Sequence, residues 1–142
     1  MADVKKHIER AEKYVQRGRI SDALDEYLLA FKEDPSNDAL VEIIAELYIK
    51  ENQPQKAMEC YGYLFDKRVE QKDGPGAVLL YRKMGRLGLQ DPARLMVCAQ
   101  MQEKSRRDRR EQELEETRLR AEEKVKELER RLNEEREAWV TN

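Results

Sequence analysis

Shifted by 34 residues, the sequence superposes its small and aromatic positions: Ala11 falls on Ala45, Tyr14 on Tyr48, Ala23 on Ala57 and Tyr27 on Tyr61. Each unit reads small, aromatic three later, small nine later, aromatic four later. This repeat constrains the fold strongly. One such unit cannot bury its apolar face alone, so neighbouring units must stack. The Ala positions let two antiparallel helices approach closely, and the Tyr positions fill the gap between one pair and the next.

Apolar spacing makes the units helical. Val4, Ile8, Ala11, Tyr14 and Val15 recur at three- and four-residue steps, and Gly18 supplies a left-handed residue to end that helix. Ile20, Ala23, Leu24, Tyr27, Leu28, Ala30 and Phe31 make a second run that closes at Asp34-Pro35. Ser36 or Asn37 is placed to cap a third helix through a backbone N–H. That helix carries Ala39, Leu40, Ile43, Ile44, Leu47, Tyr48 and Ile49. Asn52 reads as its stop and Pro54 as the first-turn residue of a fourth helix, which carries Ala57, Met58, Tyr61, Leu64, Phe65 and Val69 to about Lys72.

An imperfect third unit follows. Asp73-Gly74-Pro75-Gly76 breaks the chain. Ala77, Leu80, Tyr81 and Met84 read as the second helix of another repeat, with the far half of the fourth helix as its first. Asp91-Pro92 then opens a new helix with Leu95, Met96, Cys98, Ala99 and Met101.

Over the two clear repeats, residues 4–69, the chain resembles the tetratricopeptide repeat family; the resemblance weakens to about residue 102. It rests on the period, on Ala11/Ala45, Tyr14/Tyr48 and Ala23/Ala57, and on Pro35. The chain departs from that pattern where the early Trp is replaced by His7 and Val41, and the second closing Pro by Val69. The resemblance implies a concave groove, lined by first helices, that takes an extended peptide or a helix. The matching positions are Ile8, Glu12 and Val15, then Glu42, Glu46 and Ile49. Carried over, the groove is acidic with apolar spots, and suits a basic or amphipathic segment. Where chaperone-binding members hold a terminal carboxylate with Lys and Asn, this chain has Ile8 and Glu12, so that activity is not implied.

Composition changes at Glu103. From there to Glu137, 25 of 35 residues are charged, without Gly or Pro. One continuous helix is expected from Pro92 to about Ala138. Opposite charges at helical spacing support it, as in Glu116–Arg120, Glu122–Lys126 and Glu127–Arg131, at about 0.2–0.5 kcal/mol each. Leu114, Ala121, Val125, Leu128, Leu132 and Trp139 form a seam with alternating four- and three-residue steps, interrupted by Glu111, Arg118 and Glu135. Lys124 and Glu129 are complementary flanking charges. Two readings stay open: pairing of this helix, with itself or a partner, and a solitary ion-paired helix.

Chemistry is sparse. The chain has one His and two Cys, and no nucleophile elbow, phosphate loop, dinucleotide fingerprint or zinc signature. The expectation is a non-enzymatic protein without cofactor or metal. Cys60 and Cys98 read as buried thiols, and His7 as a packing or surface residue. Lys104-Ser105-Arg106-Arg107-Asp108-Arg109-Arg110 carries five positive charges and one negative. It lacks interleaved aromatics and base-reading residues, so nucleic acid is disfavoured as a partner. No run of 18 apolar residues exists and Met1–His7 lacks a secretory pattern, so a cytoplasmic protein without a membrane span is expected.

The sequence therefore predicts an all-α fold: a repeat domain of two to three helical hairpins over 1–102 and a charged helical extension over 103–142. The expected function is an adaptor that binds a peptide or helix in the repeat groove. The alternative is a structural or assembly protein, a homodimer through the C-terminal helix. A third reading places nucleic acid on residues 104–110.

Overall fold

The computed structural model describes the backbone of residues 2–141 and the side chains of residues 3–141; the outermost residues of the expected domains, 1 and 142, lie outside that range. The described residues are all-α: α1 (Ala2–Gln16), α2 (Ile20–Glu33), α3 (Asp38–Lys50), α4 (Pro54–Glu70), α5 (Gly74–Arg86) and α6 (Pro92–Thr141). From α1 to α5 each helix packs on the next in chain order. The chain divides into two compact units between Cys98 and Ala99. Charge places the boundary after residue 102, and burial places it at Cys98, the last buried side chain among the described residues.

In the first unit six of the eight repeat positions are core, while Tyr14 and Tyr48 are half-buried against it. Ala11, Ala23, Ala45 and Ala57 are all fully enclosed, and Tyr27 and Tyr61 are buried. A methyl group is the largest side chain that fits where helix backbones approach this closely, so these positions set the interhelix distance. Ala11, Ala23, Leu24, Tyr27, Ala30, Leu40, Ile44 and Leu47 form one cluster, which joins both helices of the first pair to α3. Farther along, Tyr61, Leu64, Phe65, Leu80 and Met84 are almost wholly enclosed. Each large side chain buried in this way is worth about 1.5–3 kcal/mol of transfer free energy.

Four helices end in the same turn. Gly18, Asn52, Lys72 and Gly88 have φ of 75°, 58°, 59° and 77°. In each case the next residue's N–H reaches back five positions: Arg19 to Tyr14 (2.9 Å), Gln53 to Tyr48 (2.8 Å), Asp73 to Arg68 (2.8 Å) and Leu89 to Met84 (2.9 Å). This closes the orphan carbonyls of the last turn. Gly18 and Gly88 adopt the left-handed conformation cheaply, whereas Asn52 and Lys72 do so at some steric cost.

These turns correct the reading of the third unit. α4 is one uninterrupted helix that ends at Glu70, so its far half is not a separate first helix. The turn after α5 repeats the turns after α1 and α3, with Met84 in the place of Tyr14 and Tyr48. α5 follows α1 and α3 in the alternation of helices, so it is the first helix of the third unit. The period lengthens from 34 to 36 residues between Tyr48 and Met84. α4, at 17 residues against 14 for α2, supplies the extra length, and the loop after it is one residue shorter.

Two local expectations about helix starts also change. Asn37 is the N-cap of α3 but its side chain makes no capping bond, and Ser36 Oγ instead donates to Asp34 Oδ1 at 3.1 Å. Asp73 is the residue that caps α5: its Oδ1 accepts the Gly76 N–H at 2.9 Å. Asp91 caps α6 as expected, with Oδ1 3.2 Å from the Arg94 N–H.

In the second unit every described side chain from Gln102 onward is exposed. The helix is held by its own charges. Glu127 receives both Arg130 (2.7 Å) and Arg131 (3.3 Å), Arg130 also meets Glu134, and Arg118 bridges Glu115 (2.5 Å) and Glu122 (3.6 Å). The expected Glu116–Arg120 pair forms at 4.0 Å. Glu122 takes Arg118 in place of the expected Lys126, because its carboxylate turns toward the N-terminal neighbour.

Candidate functional site

The residues expected to line a groove fall into two groups. Ile8 and Glu12 line a cleft of about 460 Å³ with Val4, Lys5, Glu9, Glu33 and Asp34. The cleft lies between α1 and the C-terminal end of α2, where the last carbonyls of α2 add negative potential to four carboxylates. Ile8 and Val15 both pack against the first-pair core, and Val15 is not among the residues lining the cleft.

Glu42 and Glu46 are not free acidic groups. Lys83, on α5, places its Nζ 2.9 Å from Glu46 and 3.5 Å from Glu42. The Glu46 hydrogen bond leads in holding the lysine's pKa above its ordinary value, against the opposing effect of burial. Ile49 is half-buried on the same helix. The second half of the expected groove is thus partly neutralised from within.

Lys83 was not visible in a strict 34-residue repeat. The turn register shows its meaning: it directly precedes Met84, as Leu47 directly precedes Tyr48. In the first pair, Leu47 joins the apolar cluster that contains Tyr27. In the second, the lysine lies 5.9 Å from the centre of the Tyr61 ring. The Tyr61 hydroxyl is buried without a hydrogen-bond partner, and burial leads in pushing its pKa up.

A second unforeseen feature joins α4 to the start of α6. Arg94 makes a two-pronged contact with Asp66, Nη2 to Oδ2 at 2.8 Å and Nε to Oδ1 at 3.2 Å, and its Nη1 lies 2.5 Å from Asp91 Oδ2. Room for the guanidinium comes from Gly62, where an added Cβ would stand 2.8 Å from the Arg94 Cζ. Burial works against the charge on Asp91, but the Arg94 side chain and backbone amide outweigh it and hold the carboxyl below its ordinary pKa. This is a structural clamp.

A further cleft, of about 400 Å³, is lined by Leu28, Phe31, Val41, Ile44, Tyr48, Cys60 and Tyr63, with Lys56 and Glu59 also among its lining residues. It is largely apolar. Cys60 and Cys98 are free thiols, each with its pKa raised chiefly by burial, which keeps them protonated and unreactive. His7 Nδ1 lies 2.6 Å from Glu26 Oε2 and ties α1 to α2. Among the described residues no group of three His, Cys, Asp or Glu is arranged to hold a metal, and no helix is long and apolar enough to cross a membrane.

On α6 the seam residues stand in water. Leu114, Val125, Leu128, Leu132 and Trp139 are all more than half exposed, Trp139 at 85%. Ala121 is likewise exposed, and Leu119 and Val140 add apolar surface nearby. The basic run from Lys104 to Arg110 is exposed throughout. No protein-family model matches the chain, and no curated protein matches it as a relative.

Proposed function

We propose that the first unit is a tetratricopeptide-like adaptor that holds a basic, amphipathic peptide or helix in the cleft between α1 and the end of α2. One observation carries this reading: Glu9, Glu12, Glu33 and Asp34 converge on a cleft that also offers Val4 and Ile8, with Lys5 as the one basic side chain among its described lining residues. Apolar spots give a ligand area to bury, and the carboxylates select its charge and speed its encounter. Lys83 blunts the acidity of Glu42 and Glu46, so recognition centres on the first pair. Anisotropy with a labelled Lys/Leu amphipathic peptide tests it. Salt-sensitive binding that is lost in Glu9→Lys/Glu12→Lys is expected. Equal binding by that variant, or equal binding of a Glu/Leu peptide, would refute the reading.

A second reading is supported by the exposed apolar seam. A helix that leaves Leu114, Val125, Leu128, Leu132 and Trp139 in water has a face suited to another helix. In this reading the chain assembles through α6. Sedimentation velocity tests it: mass should rise with concentration, and Leu128→Glu should abolish the rise.

A further inference from the structure

Resting on the assembly reading, we infer that α6 pairs with α6 of a second copy in antiparallel orientation over residues 114–139, with Arg118 of each chain facing Glu135 of the other. In heptad terms Arg118, Val125, Leu132 and Trp139 occupy a, and Leu114, Ala121, Leu128 and Glu135 occupy d. Antiparallel helices set a against d. About a midpoint between Lys126 and Glu127, the seam is its own complement. Leu114 meets Trp139, Arg118 meets Glu135, Ala121 meets Leu132, and Val125 meets Leu128. Two charges that interrupt an apolar seam in one chain become partners across two.

The parallel alternative stacks each residue on its own copy. It sets Arg118 on Arg118, Glu135 on Glu135, and Ala121 on Ala121, where two methyl groups leave a gap. The flanks point the other way. A parallel pair brings Arg110 to Glu115 and Lys124 to Glu129, and opposes Arg131 to Arg136. An antiparallel pair brings Glu115 to Arg136, but Lys124 to Arg131 and Glu122 to Glu129. Magnitude decides. Flanking side chains stay in water, where each pair is weak and screened by salt. Seam positions lose water on pairing, where like charges are costly and opposite charges attract most.

Two structural observations agree. A shallow hollow lies over Ala121, lined by Arg118, Glu122, Val125, Lys126 and Glu129. In the antiparallel register it receives Leu132 of the second copy. The present partners of Arg118, Glu115 and Glu122, are more than half exposed, so turning the guanidinium toward Glu135 of the second copy gives up only solvent-screened contacts.

The test is sedimentation velocity on the full chain, with cross-linking as an independent measure. Arg118→Glu alone and Glu135→Arg alone should each weaken dimerisation roughly tenfold, and the double change should restore it. In a parallel dimer each single change replaces one like-charge layer by another, so unchanged affinity overturns the orientation. Oxidised mixtures of Leu114→Cys and Trp139→Cys chains should give a 114–139 disulfide by peptide mapping; 114–114 links overturn it. A monomer at every concentration overturns both the orientation and the assembly reading, whereas a dimer with parallel links overturns the orientation alone.

Discussion

Lys83 reaches from α5 to Glu46 on α3, Nζ to carboxylate 2.9 Å, while its ammonium stands 5.9 Å from the centre of the Tyr61 ring. One side chain thus ties the second pair to the third unit, at the place where Leu47 ties the first pair to the second. Because the site is partly open to water, the ion pairs are worth less than their distances suggest. Lys83→Ala should lose about 1 kcal/mol in urea unfolding, and Lys83→Leu should recover most of it by restoring apolar cover. The lysine pKa is raised, so its contribution is fully present below the ordinary lysine value and fades as pH rises through the raised one. A wild-type midpoint for Lys83→Ala would show that the contact contributes nothing.

Tyr61 carries a hydroxyl that burial leaves without a partner. Such a group has lost water and gained nothing in return. Tyr61→Phe should leave stability unchanged or raise it by up to about 1 kcal/mol. A loss above that range would reveal a bond that the hydroxyl makes.

Asp91 both caps α6 and pairs with Arg94. Its pKa is lowered on folding, so its stabilisation is complete above the ordinary carboxylate value and is lost as pH falls through the lowered one. Asp91→Asn keeps a capping oxygen and removes the charge. Its stability should fall less steeply with acid than the wild type's over that window. Asp91→Ala should cost about 1 kcal/mol more at neutral pH, because the cap goes too. Parallel acid-unfolding curves for wild type and Asp91→Asn would remove the charge from the account.

Ala57 is fully enclosed, and Ala39, also helical, is exposed. Ala57→Leu should cost about 1–3 kcal/mol by forcing the helices apart. Ala39→Leu should stay within about 0.5 kcal/mol of wild type. Similar melting points for the two variants would contradict the close approach at Ala57.

Much of the architecture was legible because the repeat is written in residue size. Ala at 11, 23, 45 and 57 and Tyr at 27 and 61 recur at helical spacing, and the structure encloses every one. Gly18 and Asn52 announced their turns by backbone preference, and Asp91 its cap by a short side-chain acceptor. The third unit escapes the strict period because α4 is three residues longer than α2 and the loop after it one residue shorter, which moves Met84 by two. Nothing local marks such a shift; the order of the helices, with the matching turn after α5, reveals it.

The groove shows the same division. That Glu12, Glu42 and Glu46 lie on first helices is a matter of spacing. That Lys83 holds two of them while Glu12 joins Glu33 and Asp34 around an open cleft depends on which helices lie side by side. The amino-acid order alone determined helices, the Asp91 cap, the stacking rule and the charged seam, because propensity, periodicity and side-chain volume act over a few residues. Tertiary structure decided the third unit's register, the Arg94 clamp and the fate of each carboxylate. Electrostatic partners are set by distances across the chain fold, which no local pattern encodes.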